Sequence, residues 1–156
     1  MPKLCDNKSV GMIVWQGDKL LLIERKKPPF GFAPPAGHVD EDNSFEVATK
    51  RELREEVGLE TQSMELLIEG RKDNPCRREG GNWHYWKIYK IDASGEIKRS
   101  DDETKQADWF DNNQIEILAQ KTKKYLAGDI SEDEWIKNPG LEPVWFEWLK
   151  ELKIIY

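Results

Sequence analysis

From Gly37 to Leu59 the chain reads GHVDEDNSFEVATKRELREEVGL, and the second half of this stretch decides the predicted fold. Between Ser44 and Val57 there is no helix breaker, and the apolar residues fall roughly on one stripe. Ser44 is a good N-cap, and Gly58 is the residue that most often ends a helix. The stretch therefore predicts one amphipathic helix that follows an acidic loop.

Three carboxylates, those of Glu52, Glu55 and Glu56, lie close together on this helix. At about 100° per residue, Glu52 is about 40° from Glu56 and about 60° from Glu55 around the axis. Like charges at this spacing repel each other, and a hard divalent cation between them removes the repulsion. Mg²⁺ and Mn²⁺ favour such oxygen ligands. For the triplet alone, a solvated charged face is the commoner explanation, so the surrounding residues decide.

The spacing from Gly37 onward resembles the Nudix box, G-x5-E-x7-R-E-U-x-E-E-x-G-U, where U is aliphatic. The matching residues are Gly37, Arg51, Glu52, Leu53, Glu55, Glu56, Gly58 and Leu59. The segment 32–37, FAPPAG, looks like the loop that leads into the box, and the order of strands and helices agrees along most of the chain. The chain thus resembles the MutT-like Nudix hydrolases.

This resemblance implies an α/β fold, a Nudix-type α/β/α sandwich around a mixed β-sheet, here with extra C-terminal helices. It also implies a metal-dependent pyrophosphatase activity, in which the diphosphate bond of a nucleoside diphosphate linked to another group is hydrolysed. The expected cofactor is Mg²⁺ or Mn²⁺. The expected partner is a small nucleotide derivative, and family members are often dimers, so a homodimer is an open alternative to a monomer.

The resemblance further implies roles for individual residues. The implied metal ligands are Glu52, Glu55, Glu56 and the carbonyl of Ala36. Arg51 would orient the carboxylates. Glu55 is the first candidate for the general base, and Glu103 is the second.

Positions outside the box carry weaker expectations. Glu103 matches a loop Glu that supplies a further metal ligand or the base in many family members, but it also belongs to a solvated acidic run. Arg25 resembles a position that contacts substrate phosphate, or it is an idle surface residue. Trp83 and Tyr85 alternate along a strand, where an exposed aromatic face could stack a base, although packing or a dimer contact is the commoner role.

One box position departs from the pattern, because Asn43 stands where the family has its first Glu. In the family that Glu supports the box Arg, and an amide cannot offset the charge of Arg51. Reduced or altered activity is therefore one expectation. The alternative function is a catalytically weak Nudix domain that binds a nucleotide or a protein as a sensor.

The composition excludes other classes. The chain has 24 Lys and Arg against 30 Asp and Glu, a net charge of −6, which argues against a general nucleic-acid binder. Cys5 and Cys76 are far apart and lack C-x-x-C spacing, so neither a disulfide framework nor a thiolate zinc site is indicated. His38 is assigned no role. No leader or membrane span is recognisable, which predicts a cytoplasmic protein.

The length of 156 residues predicts a single domain, 1–156. The predicted order is a hairpin over 10–25, a proline-rich loop over 26–37, the box helix, two strands within 61–69 and 84–91, and C-terminal helices over about 112–153 that belong to the same domain. Between the two later strands lies a polar loop.

Overall fold

The computed structural model describes residues 3–156, which form seven strands and four helices. In chain order the elements are β1 Lys8–Gln16, β2 Lys19–Arg25, β3 Phe32–Ala33, β4 Ala36–His38, α1 Phe45–Val57, β5 Glu60–Lys72, β6 His84–Ser94, β7 Thr104–Phe110, α2 Asn112–Leu126, α3 Glu132–Lys137 and α4 Pro143–Glu151.

The strands form one mixed sheet with β1 at its centre. The main order is β3-β2-β1-β6-β5, with β4 paired to β1 and β7 paired to β2. β1 pairs with β6 in parallel over Lys8–Val14, while its other pairings, with β2 and β4, are antiparallel. The pairing with β4 spans Ser9–Gly11, which fixes the short strand just before the acidic loop.

Helices cover both faces of this sheet. Successive residues of β1 alternate between the faces, so that Met12 and Val14 share a core with α1, whereas Ile13 shares a core with α2 and α4. The predicted α/β/α sandwich around a mixed sheet is therefore confirmed.

The tryptophans of α4 pack inside the protein. Trp145 and Trp148 are fully buried, and their rings lie 5.5 and 6.4 Å from that of Trp86 on β6. A β-carbon at Gly11 would collide with the ring of Trp145, so the glycine lets α4 approach the central strand. The Trp-rich C-terminal helix thus packs against its own sheet.

The structure differs from the predicted elements at three places. The strand β7 was not predicted, because it is an edge strand whose polar residues do not alternate with apolar ones. Two short strands, β3 and β4, lie within the proline-rich loop. Leu126, which the helical stripe places inward, is 57% exposed because α2 ends there. Within residues 3–156, no helix has both the length and the apolar character to cross a membrane.

Leu118 and Leu126 lie at a buried and an exposed position of α2, so the same substitution should lower the free energy of unfolding by different amounts at the two positions. Leu118 is 7% exposed, so Leu118→Ala should lower the free energy of unfolding by about 2–5 kcal/mol. Leu126→Ala, at the exposed end, should change it by less than about 0.5 kcal/mol. Urea unfolding followed by circular dichroism measures both, and equal losses would show that α2 packs in another orientation.

Candidate active site

A cleft of about 450 Å³ lies where β4, α1 and the end of β2 meet, and we call it the acidic cleft. Its walls include seven of the residues predicted from the sequence: Arg25, Ala36, Arg51, Glu52, Glu55, Glu56 and Glu103. The fold thus brings residues from four separate segments of the chain to one place.

Two of these carboxylates lie beside each other, Glu56 buried and Glu52 half-buried. Glu56 is 8% exposed, and burial, reinforced by the charge of Glu52, raises its pKa well above the ordinary value while Arg25 acts in the opposite direction. Burial also raises the pKa of Glu52 to about 7, against the attraction of Arg51. Neither carboxylate has enough positive charge nearby to stay readily ionised.

β4 and α1 approach each other closely at Gly37. A β-carbon at Gly37 would collide with the carboxyl group of Glu52, so only glycine lets this side chain lie against β4. The backbone of Ala36 acts against the rise in the pKa of Glu56 and so favours its charged form. Buried carboxylate oxygens beside a backbone amide group are hard donors, so this set fits Mg²⁺ or Mn²⁺.

Arg51 is held by four hydrogen bonds. Its guanidinium donates to Glu52 at 2.8 Å, to Glu55 at 3.1 Å and to the carbonyl of His38 at 3.0 Å. The fourth bond, from Nε, goes to Asp42 Oδ2 at 2.8 Å. The neighbouring Asn43 is exposed. Asp42 therefore supplies the charge partner that the box pattern places one residue later.

Other residues of the acidic cleft differ in exposure. Glu55 has a side chain that is 59% exposed, and Glu103 is an exposed residue of the cleft lining. The Nε atom of Arg25 lies 4.0 Å from Glu142, a carboxylate that the sequence did not single out. Glu142 is buried, which raises its pKa against the opposing charge of Arg25. Its only signal in the sequence is an acidic residue within an apolar segment.

Trp83 and Tyr85 lie outside the lining of the acidic cleft. Trp83 stacks under the guanidinium of Arg71 at 4.5 Å, and Tyr85 donates a hydrogen bond to Glu69 at 2.6 Å. The alternate residues of β6, His84 and Trp86, line the cleft instead. The alternation along β6 was predicted, but His84 and Trp86 face the cleft instead of Trp83 and Tyr85.

Sequence reasoning also missed a cluster at one end of the cleft. The sulfur of Cys5 lies 3.5 Å from Nε2 of His38 and 3.3 Å from Nε2 of His84. Cys76 completes the group, and all four ligand atoms lie within 4.8 Å of one another. Burial lowers the pKa of His38 to about 4, and it also lowers that of His84. The spacing of the cysteines indicates no thiolate zinc site, yet the fold brings both cysteines and both histidines together.

Basic residues surround this cluster, two of them from the polar loop between β5 and β6 and one from the segment before β1. Lys3, Arg77 and Arg78 line the cleft, and Arg78 forms a two-point ion pair with Asp40. Arg77 is exposed. The lining of the cleft thus includes both the carboxylates of α1, which we call the acidic wall, and these basic residues, which we call the basic wall.

Comparison with known proteins gives a consistent result. A family model described as NUDIX domain matches residues 6–129. An ADP-ribose pyrophosphatase of Methanocaldococcus jannaschii is 35% identical over 121 residues, which are 76% of this chain and 69% of that protein. The NAD-capped RNA hydrolase NudC of Pseudomonas aeruginosa is 32% identical over 65% of this chain but only 35% of its own length. The crystal structure of a MutT NUDIX hydrolase from Burkholderia pseudomallei superposes with a TM-score of 0.60, at 25% identity, over 69% of this chain and 84% of that one.

The buried carboxylates predict how stability depends on pH when no divalent cation is added. The pKa of Glu52 is about 7 in the folded protein, against an ordinary 4.5, so between these values only the folded state holds the proton. Stability should therefore fall as the pH rises through this window, and the urea midpoint should drop between about pH 5 and about pH 8.

The matched variants are Glu52→Gln, which should make this dependence shallower while the raised pKa of Glu56 keeps part of it, and Glu65→Gln on the exposed face of β5, which should behave as the wild type. A urea midpoint that falls equally in wild type and Glu52→Gln would assign the titration to another group.

Proposed function

Because the chain belongs to the Nudix family, we propose that it is a metal-dependent hydrolase that cleaves the diphosphate bond of a nucleoside diphosphate linked to another group. Family membership confirms the predicted Nudix fold and the predicted class of pyrophosphohydrolase acting on phosphoanhydride bonds. The metal, the substrate and the residue roles are the proposal. The observation that carries it is the pair of neighbouring carboxylates, half-buried Glu52 and buried Glu56, in a cleft whose lining also includes basic residues.

The acidic wall is suited to hold Mg²⁺ or Mn²⁺. The proposed ligands are Glu52, Glu55, Glu56, the carbonyl of Ala36 and, from the turn before β7, Glu103. When bound, the cation would neutralise the bridging phosphates and polarise the phosphorus that is attacked. It would also offset the repulsion between carboxylates that burial makes costly to ionise.

The chain's own residues position the substrate and move the proton. Arg77 and Lys3 on the basic wall, with Arg25 at the end of β2, are placed to bind the phosphates of the substrate. Arg51 holds Glu55 at its exposed carboxylate, where it can accept the proton of the attacking water. Glu55 is thus the proposed general base, with Glu103 as the second candidate. Water adds to one phosphorus, and the bridging oxygen leaves with the other phosphate.

The size of the cleft and its charge favour a small nucleotide. A volume of about 450 Å³ lies within the range of pockets for small ligands, roughly 300–1,000 Å³. The archaeal relative is named for ADP-ribose and the Pseudomonas relative for NAD-capped RNA, so a nucleotide at an RNA end belongs in the assay as well. The proposed substrate class is ADP-ribose-like compounds. A single domain, a homodimer and a cytoplasmic location stay predictions.

The sensor alternative rests on Asn43 and on the Trp-rich C-terminus. Asp42 pairs with Arg51 in place of the residue at position 43, and the tryptophans of α4 pack in the core. Both observations support an active enzyme over the sensor.

Glu56→Gln tests the proposed metal site. The substitution keeps the shape of the buried side chain but removes its charge, so turnover should fall at least about 100-fold, since a catalytic metal supplies several kcal/mol. Phosphate release with Mg²⁺ from ADP-ribose, dinucleotides, other nucleoside diphosphate derivatives and NAD-capped RNA is the measurement. Circular dichroism should show an unchanged fold, and full activity in this variant would overturn the metal assignment.

A second prediction compares the two residues at the acidic loop. Asp42→Asn removes the charge partner of Arg51 and should lower kcat about tenfold, in the range seen for residues that orient metal ligands. Asn43→Ala should leave kcat within about twofold, because Asn43 is exposed. The opposite ranking of the two variants would show that Asn43 supports Arg51 in solution.

A further inference from the structure

Four segments that are distant in sequence meet at the cluster of Cys5, His38, Cys76 and His84, which we call the Cys2His2 cluster. Cys5 belongs to the segment before β1, His38 ends β4, Cys76 lies between β5 and β6, and His84 begins β6. Each residue offers one ligand atom, and the four atoms lie within 4.8 Å of one another. Such a set is the donor chemistry of tetrahedral zinc, with two soft sulfurs and two imidazole nitrogens.

The measured separations agree with a shared tetrahedral ion. With zinc–sulfur bonds of about 2.3 Å and zinc–nitrogen bonds of about 2.0–2.1 Å, each sulfur and nitrogen around one ion are about 3.5 Å apart. The sulfur of Cys5 lies 3.5 Å from Nε2 of His38 and 3.3 Å from Nε2 of His84. Both imidazoles present the same kind of nitrogen to the same point.

The backbone around the sulfurs is arranged to support thiolates. The amide of Asn7 donates to the sulfur of Cys5 at 3.3 Å, and that of Arg78 donates to the sulfur of Cys76 at 3.4 Å. In both cases the donor is two residues beyond the cysteine. Burial raises the pKa of the Cys5 thiol to about 11, while the amide of Asn7 acts in the opposite direction. A bound cation deprotonates a thiol that coordinates it.

The turn that carries Cys76 closes tightly. The amide of Cys76 donates to the carbonyl of Gly81 at 2.7 Å, and a β-carbon at Gly81 would collide with the sulfur of Cys76. The amide of Cys5 donates to the carbonyl of Glu79 at 2.8 Å, which joins the N-terminal segment to the same turn. The two cysteines are therefore brought together by main-chain bonds that do not depend on an ion.

We propose that the Cys2His2 cluster binds one structural zinc ion, separate from the proposed catalytic metal on α1. Four protein ligands fill a tetrahedral site, so no position is left for water or substrate, and the ion stabilises the fold rather than reacting. Its role is to fix the basic wall of the cleft, because Cys76 and His84 flank the segment that carries Arg77 and Arg78.

The zinc site is also linked to the catalytic wall through β4. The carbonyl of His38 accepts a hydrogen bond from Arg51, while the imidazole of the same residue faces the cluster. An ion that fixes His38 therefore helps to fix Arg51. Loss of zinc should weaken activity indirectly, but the site itself is recognised by its metal content and its spectrum.

The test uses the full chain, purified in reducing buffer without chelator, with metal content measured by inductively coupled plasma mass spectrometry. The wild type should hold about one zinc ion per chain, and Glu56→Gln should hold the same amount, which separates this site from the acidic one. The zinc content of Cys76→Ser should be at least about tenfold lower than that of the wild type. Asn82→Ala, an exposed change in the same segment, is the matched control and should keep it.

Cobalt substitution of the wild type covers the case in which Cys76→Ser fails to fold. Co²⁺ in the Cys2His2 cluster should give thiolate-to-cobalt charge transfer and the intense visible bands of tetrahedral coordination, which carboxylate ligands do not give. Zinc that stays in Cys76→Ser, a cobalt spectrum without thiolate bands, or a disulfide between Cys5 and Cys76 in the isolated protein would each overturn the proposal. If the zinc results hold while phosphate release is absent from every substrate, the proposed function fails and the zinc site stands.

Discussion

Burial of two like-charged carboxylates on one turn of α1 is the constraint around which the site is built. Glu52 and Glu56 lose most of their hydration, and each charge disfavours the other. Three neighbours make this arrangement tolerable: Gly37 gives Glu52 room, Arg51 bonds it, and Arg25 lies near Glu56. The remaining electrostatic cost is what a divalent cation would remove, so binding of the cation and loss of the carboxyl protons are coupled.

Local features of the sequence predict the elements that depend on local interactions. The helix α1 is capped by Ser44 and Gly58 as expected, because its N-cap bond and left-handed C-cap need only residues within one turn. The hairpin of β1 and β2 follows from apolar runs around a short turn. The edge strand β7 has no such signal, since its partner β2 supplies the pairing and solvent accepts its polar side. Propensity cannot show a strand that only tertiary pairing creates.

The sequence predicted the site residues that lie on one helix. It missed those that are brought to the site by pairing between strands. The phase of β6 is set by its register with β1, in which Ser9 lies opposite Trp86, and this register turns His84 and Trp86 toward the cleft. The Cys2His2 cluster joins residues 33 and 79 positions apart, so no short motif could reveal it. The role of Asp42 depends on how the acidic loop enters α1. The carboxylate that pairs with Arg51 lies one residue before the position in the box pattern, so comparison with the pattern shows only that position 43 lacks a carboxylate.

Folding of this domain requires a pairing between distant segments, because the central strand β1 pairs in parallel with β6 along Lys8–Val14. A parallel pair requires a long connection, and closing it costs chain entropy before the contacts can compensate. During synthesis β1 and β2 can form their hairpin early, but the inner edge of β1 has no partner until Ile91 has left the ribosome. Until then the nascent chain exposes an apolar strand edge, which favours aggregation.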